Sequence, residues 1–99
     1  KNVYGTYGIH PHETKNYKDL NEEEITKKIN LNKKIIGIGE TGLDFYYEHS
    51  DPVTQKKIFI EHIKTAQSLA LPLIVHTRSA EEDTYQILKN EKKKKILKF

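Results

Sequence analysis

The sequence contains no cysteine among its 99 residues. This absence excludes disulfide bonds and thiolate metal sites, and it fits a reducing compartment. A metal ion would therefore have to be bound by the side chains of histidine, aspartate or glutamate. The candidates are five histidines and 14 acidic residues.

Long apolar runs are absent as well. The longest covers a few residues, far short of the roughly 20 that a membrane-spanning helix needs, and the segment 1–4 has no apolar core of a signal peptide. We therefore expect a soluble, cytoplasmic protein with no membrane partner. Methionine is also absent, and the chain opens inside the strand-like segment Val3–Ile9. We therefore expect that further residues precede it in a longer protein, and no feature indicates an oligomeric state.

The composition fits one folded unit with a mild preference for anionic partners. Hydrophobic residues make up 35% and charged residues 31%, and the apolar residues are clustered, which argues against disorder. The net charge is +3. Much of the excess comes from Lys92–Lys95, and a charge cluster of this kind is more often solvated than bound to phosphate. The charge alone is weak support for a nucleic-acid partner.

Apolar runs and helix-start signals alternate along the chain. A strand is predicted at 3–9, and the apolar runs 35–39 and 71–75 predict two further strands, each buried on both faces. Such strands belong to a parallel sheet. The tail, residues 91–99, predicts a loop followed by the start of a fourth strand at 96–99.

Three capping signals predict helices after these strands. Each signal pairs an N-cap residue with a residue favoured in the first turn: Asn21 with Glu24, Asp51 with Pro52, and Ser79 with Glu82. The second helix has apolar residues at helical spacing: Phe59, Ile63, Ala66 and Ala70. The order strand, helix, strand, helix, strand, helix predicts a parallel α/β fold, either an open doubly wound sheet or a closed barrel.

Polar residues follow each predicted strand at its carboxyl end. His10 and His12 follow the first strand, Glu40 the second, and His76 and Arg78 the third. In parallel α/β folds this edge of the sheet is where ligands bind. We therefore expect the functional site there.

Glu40 and His76 form a candidate ligand pair for a metal ion. A carboxylate oxygen and an imidazole nitrogen suit Mg, Mn, Zn or Fe. Two alternatives stay open: Glu40 could instead accept backbone N–H bonds from Gly42 or Leu43, and His76 could bond a neighbouring carbonyl group.

The remaining polar residues have open roles. His10 could ligate a metal directly, or His10 and His12 could contact the substrate or support the ligands. Arg78 could bind a phosphate in a bidentate manner, or it could pair with one of the acids in segment 81–83. Asp44 could orient a ligand or cap a turn.

Two other histidines are expected to lie outside the site. His62 falls within the second helix and His49 in the loop before it.

Four blocks of the sequence, in this order and at these spacings, resemble the TatD family of metal-dependent deoxyribonucleases. The blocks are Tyr7–His12, Ile36–Asp44, Gln55–Phe59 and Leu71–Ala80. The resemblance implies that residues 1–99 are a fragment of a single TatD-like TIM-barrel hydrolase domain, with about three of eight β/α units. It also implies that divalent metal ions (Mg, Mn or Zn) activate a water molecule, which hydrolyses DNA phosphodiester bonds.

The resemblance also assigns roles to individual residues. Glu40 and His76 look like metal ligands, and His10 looks like an active-site histidine near the substrate phosphate. With the reasoning above, the expected catalytic residues are His10, Glu40 and Arg78, and the expected substrate-binding residues are His10, His12 and Arg78.

The family's other metal ligands lie on strands before and after these residues. We therefore expect the isolated chain to lack nuclease activity, because it holds too few ligands. Two alternatives remain: a metal-dependent hydrolase of a non-nucleic substrate, and a non-catalytic binding module derived from a barrel.

Overall fold

The computed structural model describes the backbone of residues 4–97 and the side chains of residues 4–92. The helices and strands are β1 (Gly5–Tyr7), α1 (Glu22–Asn30), β2 (Ile35–Asp44), α2 (Pro52–Leu69), β3 (Leu73–Arg78) and α3 (Glu81–Leu97). A short 3-10 helix, Pro11–Tyr17, lies between β1 and α1. The alternation of strands and helices is the one that the sequence predicts.

Two of the three predicted helix caps are confirmed. The Asn21 side chain accepts a hydrogen bond from the Glu24 N–H at 2.9 Å, and the Asp51 carboxylate accepts one from the Thr54 N–H at 2.9 Å. Each bond satisfies an N–H that has no partner within its helix. Short polar side chains at these positions therefore fix where α1 and α2 begin.

The predicted cap of the third helix is wrong by one residue. The first bond of α3 runs from the Thr84 N–H to the Ala80 carbonyl at 2.9 Å, which puts Ala80 at the capping position. Ser79 has a φ of 55°, whereas an N-cap residue has an extended backbone. The chain uses Ser79 to turn out of β3 instead.

The three strands form one parallel sheet in the order β1-β2-β3. This confirms the parallel α/β prediction. Both crossovers move the chain in the same direction across the sheet, so right-handed connections place α1 and α2 on the same face. Residues 42–44 of β2 pair with residues 76–78 of β3, so both strands extend beyond the predicted apolar runs and carry polar residues within the sheet.

The core lies between this face and the helices. Phe59 and Ile63 of α2 are buried against Leu43 of β2, and Ala66 is buried against Ile38. A buried Phe contributes about 3–5 kcal/mol relative to Ala, so the α2 contact with β2 is a major source of stability.

One residue of the predicted apolar face of α2 lies elsewhere. Ala70 is exposed and caps the end of α2 with a φ of 56°. The helix ends there because the left-handed backbone of Ala70 cannot continue it.

The opposite face of the sheet is open in the described part of the chain. Ile36 and Ile74 are 52% and 43% exposed, so the prediction of burial on both faces is wrong for these residues. The described helices that pack on the sheet share one side, and residues 4–97 supply no layer for the other. In a closed barrel this face would point inward.

The predicted loop and fourth strand in the tail are also wrong. Helix α3 continues to Leu97, because lysine, glutamate and leucine favour helix more than a short apolar run favours strand. Lys92 is exposed; the side chains of Lys93–Lys95 and all of residues 98 and 99 lie outside the described residues. Among the helices of residues 4–97, none is long and apolar enough to cross a membrane.

Candidate metal centre

A glycine brings β2 and β3 close together beside the predicted ligands. Gly42 of β2 pairs with His76 of β3 and has a φ of 144°. A Cβ atom at Gly42 would overlap the carbonyl oxygen of His76. Only glycine fits this position, and Glu40 stands two residues before it.

Three side chains from consecutive units meet at this edge of the sheet. His10, Glu40 and His76 each offer one ligand atom, and these atoms lie within 4.8 Å of one another. They come from the loop after β1, from β2 and from β3. Imidazole nitrogen and carboxylate oxygen are donors suited to Mn, Fe and Zn, so the residues present fit a divalent metal ion.

The two structural alternatives for Glu40 and His76 are not found in the described residues. No hydrogen bond joins the Glu40 side chain to the N–H of Gly42 or Leu43 there, and this side chain is 53% exposed. His76 bonds a carboxylate, that of Asp44, rather than a carbonyl group.

Asp44 is the centre of the hydrogen-bond network behind the cluster. Its Oδ2 lies 2.9 Å from His12 Nε2, 3.0 Å from His76 Nε2 and 3.1 Å from Arg78 Nε. Its Oδ1 accepts from the Tyr46 N–H at 3.1 Å. Asp44 thus both orients a candidate ligand and caps a turn, the two roles left open from the sequence.

The charge state of Asp44 follows from these bonds. Asp44 is fully buried, and burial on its own would raise the pKa of its carboxyl group. The hydrogen bonds from His76, the Tyr46 N–H, His12 and Arg78 outweigh that effect and hold the pKa well below its usual range. Asp44 is therefore ionised at neutral pH and acts only as an acceptor.

An ionised Asp44 determines which nitrogen of His76 carries a proton. Because Asp44 only accepts, the Nε2 of His76 must donate to it, and the neutral ring keeps a lone pair on Nδ1 for a metal. Histidines that bind metals commonly donate their other N–H to a carboxylate, which fixes the orientation of the ring. His76 meets this condition.

The hydrogen bond of His10 favours the opposite arrangement. Its Nδ1 accepts from the His12 N–H at 3.2 Å, so the neutral ring carries its proton on Nε2, 3.8 Å from Glu40 Oε1. Burial lowers the pKa of His10, and the neighbouring His12 and His76 lower it further against the opposing effects of Glu40 and Asp44. A neutral ring with an Nε2–H is a hydrogen-bond donor, which suits a substrate oxygen better than a metal ion.

Arg78 pairs with a residue that the sequence did not indicate. Its Nε bonds Asp44, and its guanidinium carbon lies 4.8 Å from the ring centre of Tyr46 and 5.2 Å from that of Tyr47. No described contact joins Arg78 to the acids of segment 81–83. Asp83 instead pairs with Lys56 at 3.1 Å.

His49 lies nearer the candidate site than its place in the loop before α2 indicates. Its ring centre lies 4.5 Å from that of His12 and 5.6 Å from that of Tyr47. The loop after β2 folds back across the end of the sheet, a path that periodicity does not reveal.

His62 is structural, as expected. It is buried, its Nε2 accepts from the Ile9 N–H at 3.0 Å, and its Nδ1 lies 2.8 Å from the Ile58 carbonyl. It thereby ties α2 to the residue that precedes His10.

Gln55 is a second residue whose role the sequence did not indicate. It is fully buried, its Oε1 accepts from the Asp44 N–H at 2.8 Å, and its Nε2 donates to the carbonyls of Asp44 and Ser50 at 3.0 and 2.7 Å. Gln55 therefore closes the loop 44–50 at both ends. A polar residue among the apolar positions of α2 is the signal that could have shown this.

Comparisons with known proteins find metal-dependent hydrolases and a nuclease. An uncharacterized metal-dependent hydrolase of Buchnera aphidicola subsp. Baizongia pistaciae is 43% identical over 99 residues, which cover 98% of this chain and 36% of that protein. The 3'-5' ssDNA/RNA exonuclease TatD of Escherichia fergusonii is 33% identical over 79 residues, which cover 80% of this chain and 30% of the exonuclease. The chain thus spans about a third of the length of these curated relatives.

A solved structure shares the fold. The crystal structure of YjjV, a TatD homologue from Escherichia coli K12, matches with a TM-score of 0.77 and 26% sequence identity, covering 89% of this chain and 34% of that one. The parallel α/β sheet of this chain therefore corresponds to part of a TIM barrel. The family model described as TatD related DNase matches residues 1–99, and this chain accordingly belongs to the TatD-related DNase family.

Proposed function

We propose that these residues form part of a divalent-metal centre that hydrolyses phosphodiester bonds of nucleic acid, with DNA as the first candidate substrate. The observation that carries the proposal is that side chains able to bind a metal lie next to side chains able to bind a phosphate. Candidate metal ligands stand beside hydrogen-bond donors and a guanidinium group, and three of these side chains, His12, His76 and Arg78, bond one buried carboxylate, Asp44.

Glu40 and His76 are the proposed metal ligands. Glu40 offers an exposed carboxylate, and His76 offers Nδ1 once its Nε2 donates to Asp44. A divalent ion bound there supplies Lewis acidity, which lowers the pKa of water and neutralises negative charge that develops on phosphate oxygens.

His10 and Arg78 are the proposed direct substrate contacts, and His12, whose Nε2–H donates to Asp44, is proposed to support them. Arg78 is always charged, and its described hydrogen bonds use Nε alone, so its terminal nitrogens face no described acceptor. His10 carries a proton on Nε2 beside Glu40. Donors of this kind match the oxygens of a phosphate better than the single oxygen of an amide.

Two other readings of the site remain testable. The relatives include proteins described only as metal-dependent hydrolases and one described as acting on single-stranded DNA and RNA, so the proposal covers RNA as well as DNA. A screen of DNA, RNA, small phosphodiesters and amides tests a non-nucleic substrate. Metal binding without turnover in a protein that holds the complete ligand set would indicate a binding module.

Metal binding is the direct test of the ligand pair. Free Mn²⁺ is measured by electron paramagnetic resonance in titrations of the wild-type chain and of Glu40→Gln and His76→Gln. We expect each variant to bind about tenfold more weakly or worse. The matched control is Glu23→Gln, which removes an exposed carboxylate from α1. Equal binding by all four proteins would refute the assignment.

Activity tests the second part of the proposal. We expect the 99-residue chain to release no nucleotides from single-stranded DNA with Mg²⁺ or Mn²⁺, because the two proposed ligands, Glu40 and His76, leave the coordination of a hydrolytic metal incomplete. Turnover at the level of a full-length family member would show that no further ligands are needed.

A further inference from the structure

A row of aromatic rings leads away from the candidate metal centre. The ring centres of His10 and His12 lie 4.5 Å apart, those of His12 and His49 4.5 Å, and those of His49 and Tyr47 5.6 Å. Tyr47 then contacts Tyr46 at 4.5 Å. The row begins at the ligand cluster and ends at two tyrosines.

These two tyrosines are unusually open to solvent for neighbouring aromatic residues. Tyr46 and Tyr47 are 60% and 63% exposed, although a tyrosine ring gains free energy when it is buried. Together with Arg78 they form what we call the tyrosine shelf. Adjacent exposed rings beside a site are a common feature of surfaces that bind a partner.

The tyrosine shelf is fixed by the same carboxylate that orients a candidate metal ligand. Asp44 accepts from the Tyr46 N–H at 3.1 Å and from Arg78 Nε at 3.1 Å, while it bonds His76 at 3.0 Å. The guanidinium of Arg78 in turn packs on both rings. Asp44 therefore fixes the position of the tyrosine shelf relative to the candidate ligand His76.

We propose that Tyr46, Tyr47 and Arg78 form a stacking site for an unpaired nucleobase next to the phosphodiester that the metal centre receives. This inference rests on the proposed function. A tyrosine face stacks on any nucleobase, and the guanidinium adds a cation beside the sugar-phosphate chain. Within a duplex both faces of a base are covered by its neighbours, so the shelf selects single strands and frayed ends over paired nucleic acid.

Abasic DNA separates stacking from phosphate binding. Fluorescence anisotropy compares a labelled single-stranded DNA oligonucleotide with the same backbone carrying abasic sites, in EDTA so that no metal contributes. The two probes have equal charge. We expect the oligonucleotide with bases to bind about tenfold more tightly, the usual effect of one stacked base. An RNA of the same sequence gives the same preference, because stacking needs no 2'-hydroxyl group.

Variants assign the preference to the shelf. Tyr46→Leu with Tyr47→Leu removes the aromatic faces and is expected to abolish the preference, whereas Tyr46→Phe with Tyr47→Phe retains it. The matched control is Tyr85→Leu, because Tyr85 is 59% exposed and has Lys89 at 5.9 Å from its ring centre. It is expected to bind as the wild type does. The Phe pair also guards against loss of folding as an explanation.

Each outcome has a defined reading. If the wild type binds the two probes equally, or if Tyr85→Leu loses the base preference as the Leu pair does, the tyrosine shelf is overturned and the proposed function still stands. A protein that binds no oligonucleotide at all overturns both proposals. Loss of the base preference in the Leu pair alone supports the shelf.

Discussion

Replacing Asp44 by Asn tests whether one buried carboxylate organises the site. Asp44 accepts hydrogen bonds from His12, His76, Arg78 and the Tyr46 N–H. Asn has nearly the same shape but turns one oxygen into an NH₂ group, so at least one of these donors would face another donor in either orientation. A histidine can move its proton to become an acceptor, but a guanidinium cannot.

The magnitude follows from the burial of the pair. Removing one partner of a buried ion pair costs about 3–5 kcal/mol. The side chain of Arg78 is 44% exposed, so water can replace part of what Arg78 loses, and the lower end applies. We expect Asp44→Asn to reduce the free energy of unfolding at pH 7 by about 3 kcal/mol. For a domain of this size that lowers Tm by roughly 12–24 °C.

The effect should also depend on pH in a defined direction. The pKa of Asp44 is lower in the folded chain than in the unfolded one. Its contribution to stability is therefore complete above the unfolded-state pKa of about 3.9 and is lost as the pH falls through the folded-state value. The difference in the free energy of unfolding between the wild type and Asp44→Asn should be largest at pH 7 and should shrink below about pH 4.

Thermal unfolding followed by circular dichroism, in EDTA, measures both effects. Asp51→Asn is the matched control, because Asp51 is an N-cap at which Asn is equally favourable, and we expect a change within about 0.5 kcal/mol. If Asp44→Asn destabilises the chain no more than this control does, the Asp44 carboxylate does not organise the site.

Three further predictions concern the surroundings of the site. Gly42→Ala should lower the free energy of unfolding, measured by urea denaturation, by about 3 kcal/mol or more, because Gly42 has a positive φ and a Cβ there would clash with β3. Gly5 has open space around it, so Gly5→Ala should be nearly neutral. Equal effects of the two substitutions would contradict the close approach of β2 and β3. Burial lowers the pKa of His62, so stability should fall as the pH drops below about 6.5. His62→Gln stays uncharged, so its Tm should fall less than that of the wild type between pH 7.5 and 5. If Tm falls equally in both proteins, His62 is not the cause of the pH dependence. Gln55→Leu leaves three buried backbone groups without partners and should lower the free energy of unfolding by about 2–4 kcal/mol. Gln86 is exposed, so Gln86→Leu should lower it by less than about 0.5 kcal/mol in the same denaturation assay.

The elements that the sequence predicts correctly are those with local causes. Asn21 and Asp51 cap helices through bonds to residues three positions away, so the signal lies within one turn. The cap at Ser79 fails although its pattern is the same, because the turn out of β3 gives this residue a left-handed backbone. Ile36 and Ile74 are open because the described helices that pack on the sheet lie on its other face.

The candidate site divides in the same way. Glu40 and His76 are predictable as neighbours because the ends of parallel strands meet at one edge. The place of His49 beside His12 is not predictable in this way, because it depends on the path of the loop 44–50, which Gln55 holds through three buried hydrogen bonds. No periodic pattern encodes such a path.

Within the proposed function, the hydrogen bonds of Asp44 separate substrate binding from hydrolysis. His76 and Arg78 are oriented by a carboxylate of the protein, so their arrangement does not wait for a metal ion. The contacts proposed for phosphate and base would then persist in EDTA, while hydrolysis depends on a complete metal coordination sphere. A chain that binds single strands without cleaving them is thus the expected behaviour of these residues on their own.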